Sequence, residues 1–187
     1  MTVLNIYSDG GCSGNQSDKN FGGWGAILEF GENKKELYGG EADTTNNRME
    51  LTAVISAFQA LKRDGLTVRV FTDSSYVADC FRKKWYESWE KNGWINAAKK
   101  PVENRELWSQ LLSLTRRHDV TFYRVKGHVA PEKLTDEKAA ALYEKFKEWN
   151  GEDFSYDDFL CITAMNNRAD ELANAGIKTV KESAAAL

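Results

Sequence analysis

Four carboxylates stand where the patterned sequence changes element: Asp9, Glu50, Asp73 and Asp170. Asp9 closes the strand-like run Val3–Ser8 and precedes Gly10 and Gly11. Glu50 lies in Thr44-Thr45-Asn46-Asn47-Arg48-Met49-Glu50-Leu51, at the start of an amphipathic pattern. Asp73 closes Val68–Thr72, and Asp170 follows Asn166-Asn167-Arg168-Ala169. Each has an ordinary reading: a turn residue for Asp9, a salt bridge from Glu50 to Arg48 or Lys62, a helix cap for Asp73, a solvated helix charge for Asp170. Glu50 is the hardest to explain so. At helical spacing it shares the inward face of Val54, Ala57 and Leu61, where an unpaired carboxylate is costly. If the four converge they form a cation site, because two unit charges about 4 Å apart repel by about 4 kcal/mol at an effective dielectric of about 20. Hard divalent ions with oxygen ligands relieve that repulsion, and a pair of them suits in-line displacement at phosphorus.

Such a cluster needs a scaffold. The chain has 187 residues, 42% hydrophobic and 28% charged, enough for one buried core. A single domain is expected over residues 1–178, followed by a frayed tail over 179–187. Val3–Ser8, Trp24–Phe30, Lys34–Tyr38, Val68–Thr72 and Val120–Lys126 read as strands, with a loop over residues 10–23 and a hairpin at Gly31-Glu32-Asn33. Asn46–Leu61, Ser75–Arg82 and Arg105–Arg117 read as helices, the first capped by Thr44 or Thr45. This order predicts an α/β domain with a mixed sheet.

Residues 132–163 interrupt the plan. Leu142, Phe146 and Trp149 recur at helical spacing after Thr135, Gly151 is a stop, and Ser155-Tyr156-Asp157-Asp158 has the form of a capping box. The segment reads as an inserted acidic helical element. The net charge of −3 is concentrated there, while residues 80–110 carry a basic excess. Cys12, Cys80 and Cys161 include no CxxC pair and read as reduced thiols of a cytoplasmic protein. Two histidines, His118 and His128, are too few for a histidine-built zinc site. No apolar run reaches membrane-spanning length, and the first strand leaves no room for a signal peptide.

The segments Tyr7–Gly10, Thr44–Leu51, Thr72–Ser74, Val125–His128 and Asn166–Leu172 resemble, in order, those of type I ribonuclease H (ribonuclease HI). The resemblance covers nearly the whole chain except 132–163 and the tail. It implies a mixed five-stranded sheet, three antiparallel strands then two parallel, in the order 3-2-1-4-5. It implies a metal-dependent endoribonuclease that hydrolyses the RNA strand of RNA–DNA hybrids, leaving 5′-phosphate and 3′-hydroxyl ends. Two Mg²⁺ ions are implied, with Mn²⁺ as a substitute. Asp9 would bridge them, Asp170 would help hold the ion that activates water, and Glu50 and Asp73 would hold the other. His128 matches a loop histidine that moves a proton or aids product release. Gly10, Asn15, Asn46 and Asn47 match positions that sense 2′-hydroxyls, Thr45 one that grips a DNA phosphate, and Trp85 one that packs on a DNA sugar.

Trp89, Trp94 and Trp108 are assigned to the core. Three departures from the family pattern stand out: Asp43 in place of a common arginine, Ser75 in place of a glutamine, and Glu87 and Glu90 among the lysines of the protrusion at 85–100. They predict weak hybrid affinity with a shallow salt dependence. The insertion separates His128 from Asp170, where the family has a short loop. A lid, a docking surface for an unknown protein partner, and inert decoration are its three possible roles, and its charge predicts that it faces away from nucleic acid. A monomer without membrane contact is expected. The competing readings are a DNA-processing nuclease, a hybrid-binding module that has lost catalysis and a paired-carboxylate glycosidase. The asparagines, the four acids and the Thr44–Leu51 run argue against each in turn.

Overall fold

The computed structural model describes residues 3–14 and 20–186. Five strands form one sheet: β1 (Leu4–Ser13), β2 (Phe21–Phe30), β3 (Asn33–Ala42), β4 (Thr67–Thr72) and β5 (Asp119–Arg124). Their order is β3-β2-β1-β4-β5. β1, β2 and β3 pair antiparallel, while β4 and β5 run parallel to β1. This is the mixed sheet that the sequence predicts.

Alternation along the strands divides the core in two. Leu4, Ile6, Val68 and Val70 face α1 (Asn46–Gln59), which buries Leu51, Val54, Ala57 and Phe58 against them. Trp94 and Trp108 are buried in this layer, and Trp89 packs on its border. α2 (Ser75–Arg82), α3 (Trp85–Asn92) and α4 (Arg105–Thr115) link β4 to β5. Tyr7, Ile27 and Phe71 face the opposite way, towards α6 (Tyr156–Ala185).

The inserted segment belongs to this second layer. Its helix α5 (Asp136–Asn150) starts at a Thr135 cap, stops at Gly151 and packs beside β5. Phe146, Phe154 and Phe159 are buried against Tyr7, Ile27 and Phe71, so the segment is core and not inert decoration. Asn150 seals the outer edge of β5: its Nδ2 donates to the Arg124 carbonyl and its Oδ1 accepts from the Arg124 N–H. Arg82 donates to the Trp149 carbonyl, and the Arg124 guanidinium stacks 4.5 Å from the Trp149 ring.

Several sequence expectations need correction. β1 runs past Asp9 to Ser13, because Gly10 and Gly11 continue the pairing with β2 instead of turning. The loop expected over 10–23 shrinks accordingly, and Asn33 pairs with Phe30 instead of lying in the hairpin turn. α3 was not foreseen: its Trp85 and Trp89 repeat at i,i+4, but no side-chain cap marks its start. The final helix is one 30-residue element, so neither 163 nor 178 falls at an element end, and residues 179–185 are helical instead of frayed. The capping box at Ser155 and Asp158 opens that helix.

Candidate active site

The four acids reach one place from four elements. Asp9 sits on β1, Glu50 in the first turns of α1, Asp73 just beyond β4 and Asp170 midway along α6. One carboxylate oxygen from each of Asp9, Glu50 and Asp73 lies within 4.8 Å of the others. Asp170 and His128 join them in lining a cavity of about 330 Å³.

Missing side chains make this convergence possible. A Cβ at Gly10 would strike the backbone of Met49 and Glu50, so the bare residue lets α1 deliver Glu50 to β1. Gly25 pairs with Asp9 across the sheet, and a Cβ there would strike the Ala169 carbonyl. α6 therefore settles close enough to bring Asp170 beside Asp9. A Cβ at Gly127 would collide with Asp73 Oδ2, so the loop before His128 lies directly on that carboxylate.

The ordinary readings fail on particular contacts. Asp9 is a paired strand residue, not part of a turn. Arg48 serves Glu106 at 2.6 Å and Glu41 at 3.8 Å, leaving Glu50 without a cation among the described residues. Ser74, not Asp73, caps α2 by accepting from the Val77 N–H at 3.3 Å. Glu171 pairs with Arg168, whereas Asp170 accepts from Asn174 and lies 3.8 Å from His128 Nδ1.

Burial and unbalanced charge together disfavour ionisation of these acids. Burial, then repulsion from Asp73 and Asp170, pushes Asp9 up to about 8, although the Gly10 N–H donates to its Oδ1 at 2.8 Å. Burial likewise raises Glu50 well above the carboxylate range, with Asp9 and Asp73 adding to the rise. Asp73 is raised by burial, against the pull of His128 and Asn166. Glu50 Oε2 is buried without a hydrogen-bond partner. An all-oxygen donor set with an orphaned carboxylate oxygen and uncompensated repulsion fits a hard divalent cation.

The other predicted residues surround the cluster. Gly10 and Asn46 line the cavity, and the Cys12 N–H donates to Asn46 Oδ1 at 2.7 Å, while the Asn46 amide donates to no group among the described residues. Thr45 caps α1 by accepting from the Arg48 N–H at 3.2 Å, and Asn47 follows on the first turn. Trp85 is exposed at the start of α3, well along the chain from the acids, with Lys83 Nζ 5.5 Å from its ring centroid. Asn15 lies outside the described residues. His118 is structural, accepting at Nδ1 from the Leu66 N–H at 3.3 Å. The sequence reading overlooked Gly127 and two asparagines. Asn166 is fully buried near Asp73 without a well-formed hydrogen bond, and Asn167 Nδ2 donates to the Val129 carbonyl at 2.8 Å. Their place just before Asp170 on one helical face was the available signal.

The RNase H family model matches residues 1–142. The ribonuclease H of Rhizobium etli is 52% identical over 150 residues, which is 79% of this chain and 96% of that protein. The chain belongs to the ribonuclease H family. A solved structure, that of LC9-RNase H1, a type 1 RNase H with the type 2 active-site motif, is similar at 28% identity with a TM-score of 0.61, covering 89% of this chain and 85% of that one. LC11-RNase H1, solved in complex with RNA/DNA hybrid, shares the fold at 20% identity and a TM-score of 0.56, covering 94% and 97%. The match to the ribonuclease H family model stops inside α5, whereas Asp170 follows on α6. No helix among the described residues is long and apolar enough to cross a membrane.

Proposed function

We propose that the chain hydrolyses the RNA strand of RNA–DNA hybrids, leaving 5′-phosphate and 3′-hydroxyl ends, with Asp9, Glu50, Asp73 and Asp170 holding Mg²⁺. One observation carries this reading: Glu50, buried and orphaned at Oε2, shares its site with two further acids and no described cation, in a ribonuclease H family chain. Two such ions would stabilise both the attacking and the leaving oxygen of an in-line displacement, and Mn²⁺ would substitute. Asp9, which neighbours each of the other three acids, would be the carboxylate placed to help hold both.

The chain's own groups do the rest. The Asn46 amide, whose donors meet no acceptor among the described residues, and the first-turn amide of Asn47 suit a 2′-hydroxyl, which separates RNA from DNA. Gly10 brings bare backbone to the same groove, and Asn15 is assigned there by the family resemblance alone. The Thr45 hydroxyl accepts from its own helix and keeps its proton for a DNA phosphate at the positive end of α1. Trp85 offers an exposed face for a sugar. His128 reaches the cavity beside Asp170, where it carries a proton or escorts product. None of the insertion's acids lines the cavity, which supports an acidic face turned away from the substrate.

Labelled hybrid, double-stranded RNA and double-stranded DNA, each incubated with and without Mg²⁺, test the reading. Cleavage confined to the RNA of the hybrid, dependent on the ion and leaving 5′-phosphates, is expected. Cleavage of DNA at a comparable rate, or hybrid cleavage undiminished in EDTA, would overturn it.

A further inference from the structure

We infer that Asn167 is a positioning residue whose side-chain amide fixes the loop carrying His128 to the turn of α6 that carries Asp170. Asn167 Nδ2 donates to the Val129 carbonyl at 2.8 Å. Val129 adjoins His128, and Asn167 precedes Asp170 by three positions on the same helix, so one hydrogen bond joins their neighbours. The inference rests on the role proposed for His128.

The loop needs such an anchor. His128 has a φ of +56°, a left-handed conformation that a residue with a Cβ keeps only where its surroundings hold it. Its side chain is 74% exposed, and Asp170 Oδ2 at 3.8 Å is too far for a hydrogen bond, so the imidazole does not fix itself. Residues 125–130 form neither helix nor strand. The Val125 N–H donates to the Thr72 carbonyl at the start of the loop, and the Lys133 N–H to the Ala130 carbonyl in a local turn. Between those two bonds, Asn167 supplies the described hydrogen bond from loop to body. The chain does not do this by itself, because the insertion puts about forty residues between His128 and Asp170. A tie through space replaces the short connection along the chain.

The bland reading is that Asn167 merely satisfies a carbonyl and adds stability. A double-mutant cycle separates the two. Steady-state kcat and KM on labelled hybrid at saturating Mg²⁺ are measured for the wild type, Asn167→Ala, His128→Ala and the double variant, with thermal midpoints alongside. Asn167→Ala is expected to lower kcat about tenfold while KM stays within about twofold, because misplacing a reacting group costs rate more than binding. In the His128→Ala background the same change should cost nothing further, and Asn167→Gln, which keeps the donor, should restore part of the loss. An equal loss in both backgrounds, or a lower thermal midpoint with kcat unchanged, sinks the tether and leaves Asn167 a structural residue. If His128→Ala alone leaves kcat unchanged, the proposed role of His128 falls, and the tether loses its purpose with it.

Discussion

At the scale of single residues the site is a balance of charge and missing atoms. Asp73→Asn removes one ligand charge while keeping shape, and should reduce hybrid cleavage by at least about a hundredfold in a Mg²⁺-supported assay. Asp9 gives a pH prediction whose sign is fixed by its shift. Its folded-state value lies near 8 against 3.8 unfolded, so between those values the folded protein holds a proton that the unfolded chain has released. Stability of the metal-free protein therefore falls as pH rises from about 4 to about 8. Thermal melts in EDTA across that range should show the decline, and Asp9→Asn should flatten it. Gly127→Ala should displace the Asp73 carboxylate and weaken Mg²⁺ binding, read by calorimetry on the otherwise folded protein. The four acids were legible in the sequence because Glu50 falls on an apolar helix face and the other three stand inside recognisable motifs. For Asn167 the one signal was its place a turn before Asp170; Gly127 left none, since what matters there is which distant atom lies opposite.

Elements explain why legibility was uneven. α2 was readable to the residue, because Ser74 is a capping hydroxyl and its apolar stripe is short and clean. The order of the strands followed from the family motifs. β1 was cut short because two glycines normally announce a turn, yet here both pair with β2 and Gly10 lets α1 approach. α3 starts from Lys84 in a left-handed conformation, which no capping residue signals. The insertion offered only its own helix to view; that its three phenylalanines complete the sheet's second face depends on tertiary packing. Phe154→Ala should therefore cost about 3–5 kcal/mol in urea unfolding, a large share of a typical domain's stability. Removing residues 134–163 should leave Tyr7, Ile27 and Phe71 uncovered and yield an aggregation-prone chain, visible by size-exclusion chromatography.

For the whole molecule, charge is distributed by place. The acids of the insertion are all exposed, most of them on α5 and the first turn of α6, while Lys91, Lys99 and Lys100 make no ion pair among the described residues and remain available to nucleic acid. Glu90 is occupied by Arg116 at 2.7 Å, so it subtracts less from that basic face than its sequence position suggests. Lys99→Ala with Lys100→Ala should weaken hybrid binding and lower the slope of log affinity against log salt by about one to two, measured by fluorescence anisotropy. A different consequence follows from the unbroken course of α6. At 30 residues it is about 45 Å long, with its first turns in the insertion's core, its middle under Asp9 and its last turns across β3. One rod joins the inserted segment to the acid cluster, with no break between them. Protection from amide exchange along it should then be lost as a single block, so that loosening the phenylalanine cluster and releasing Asp170 become the same event.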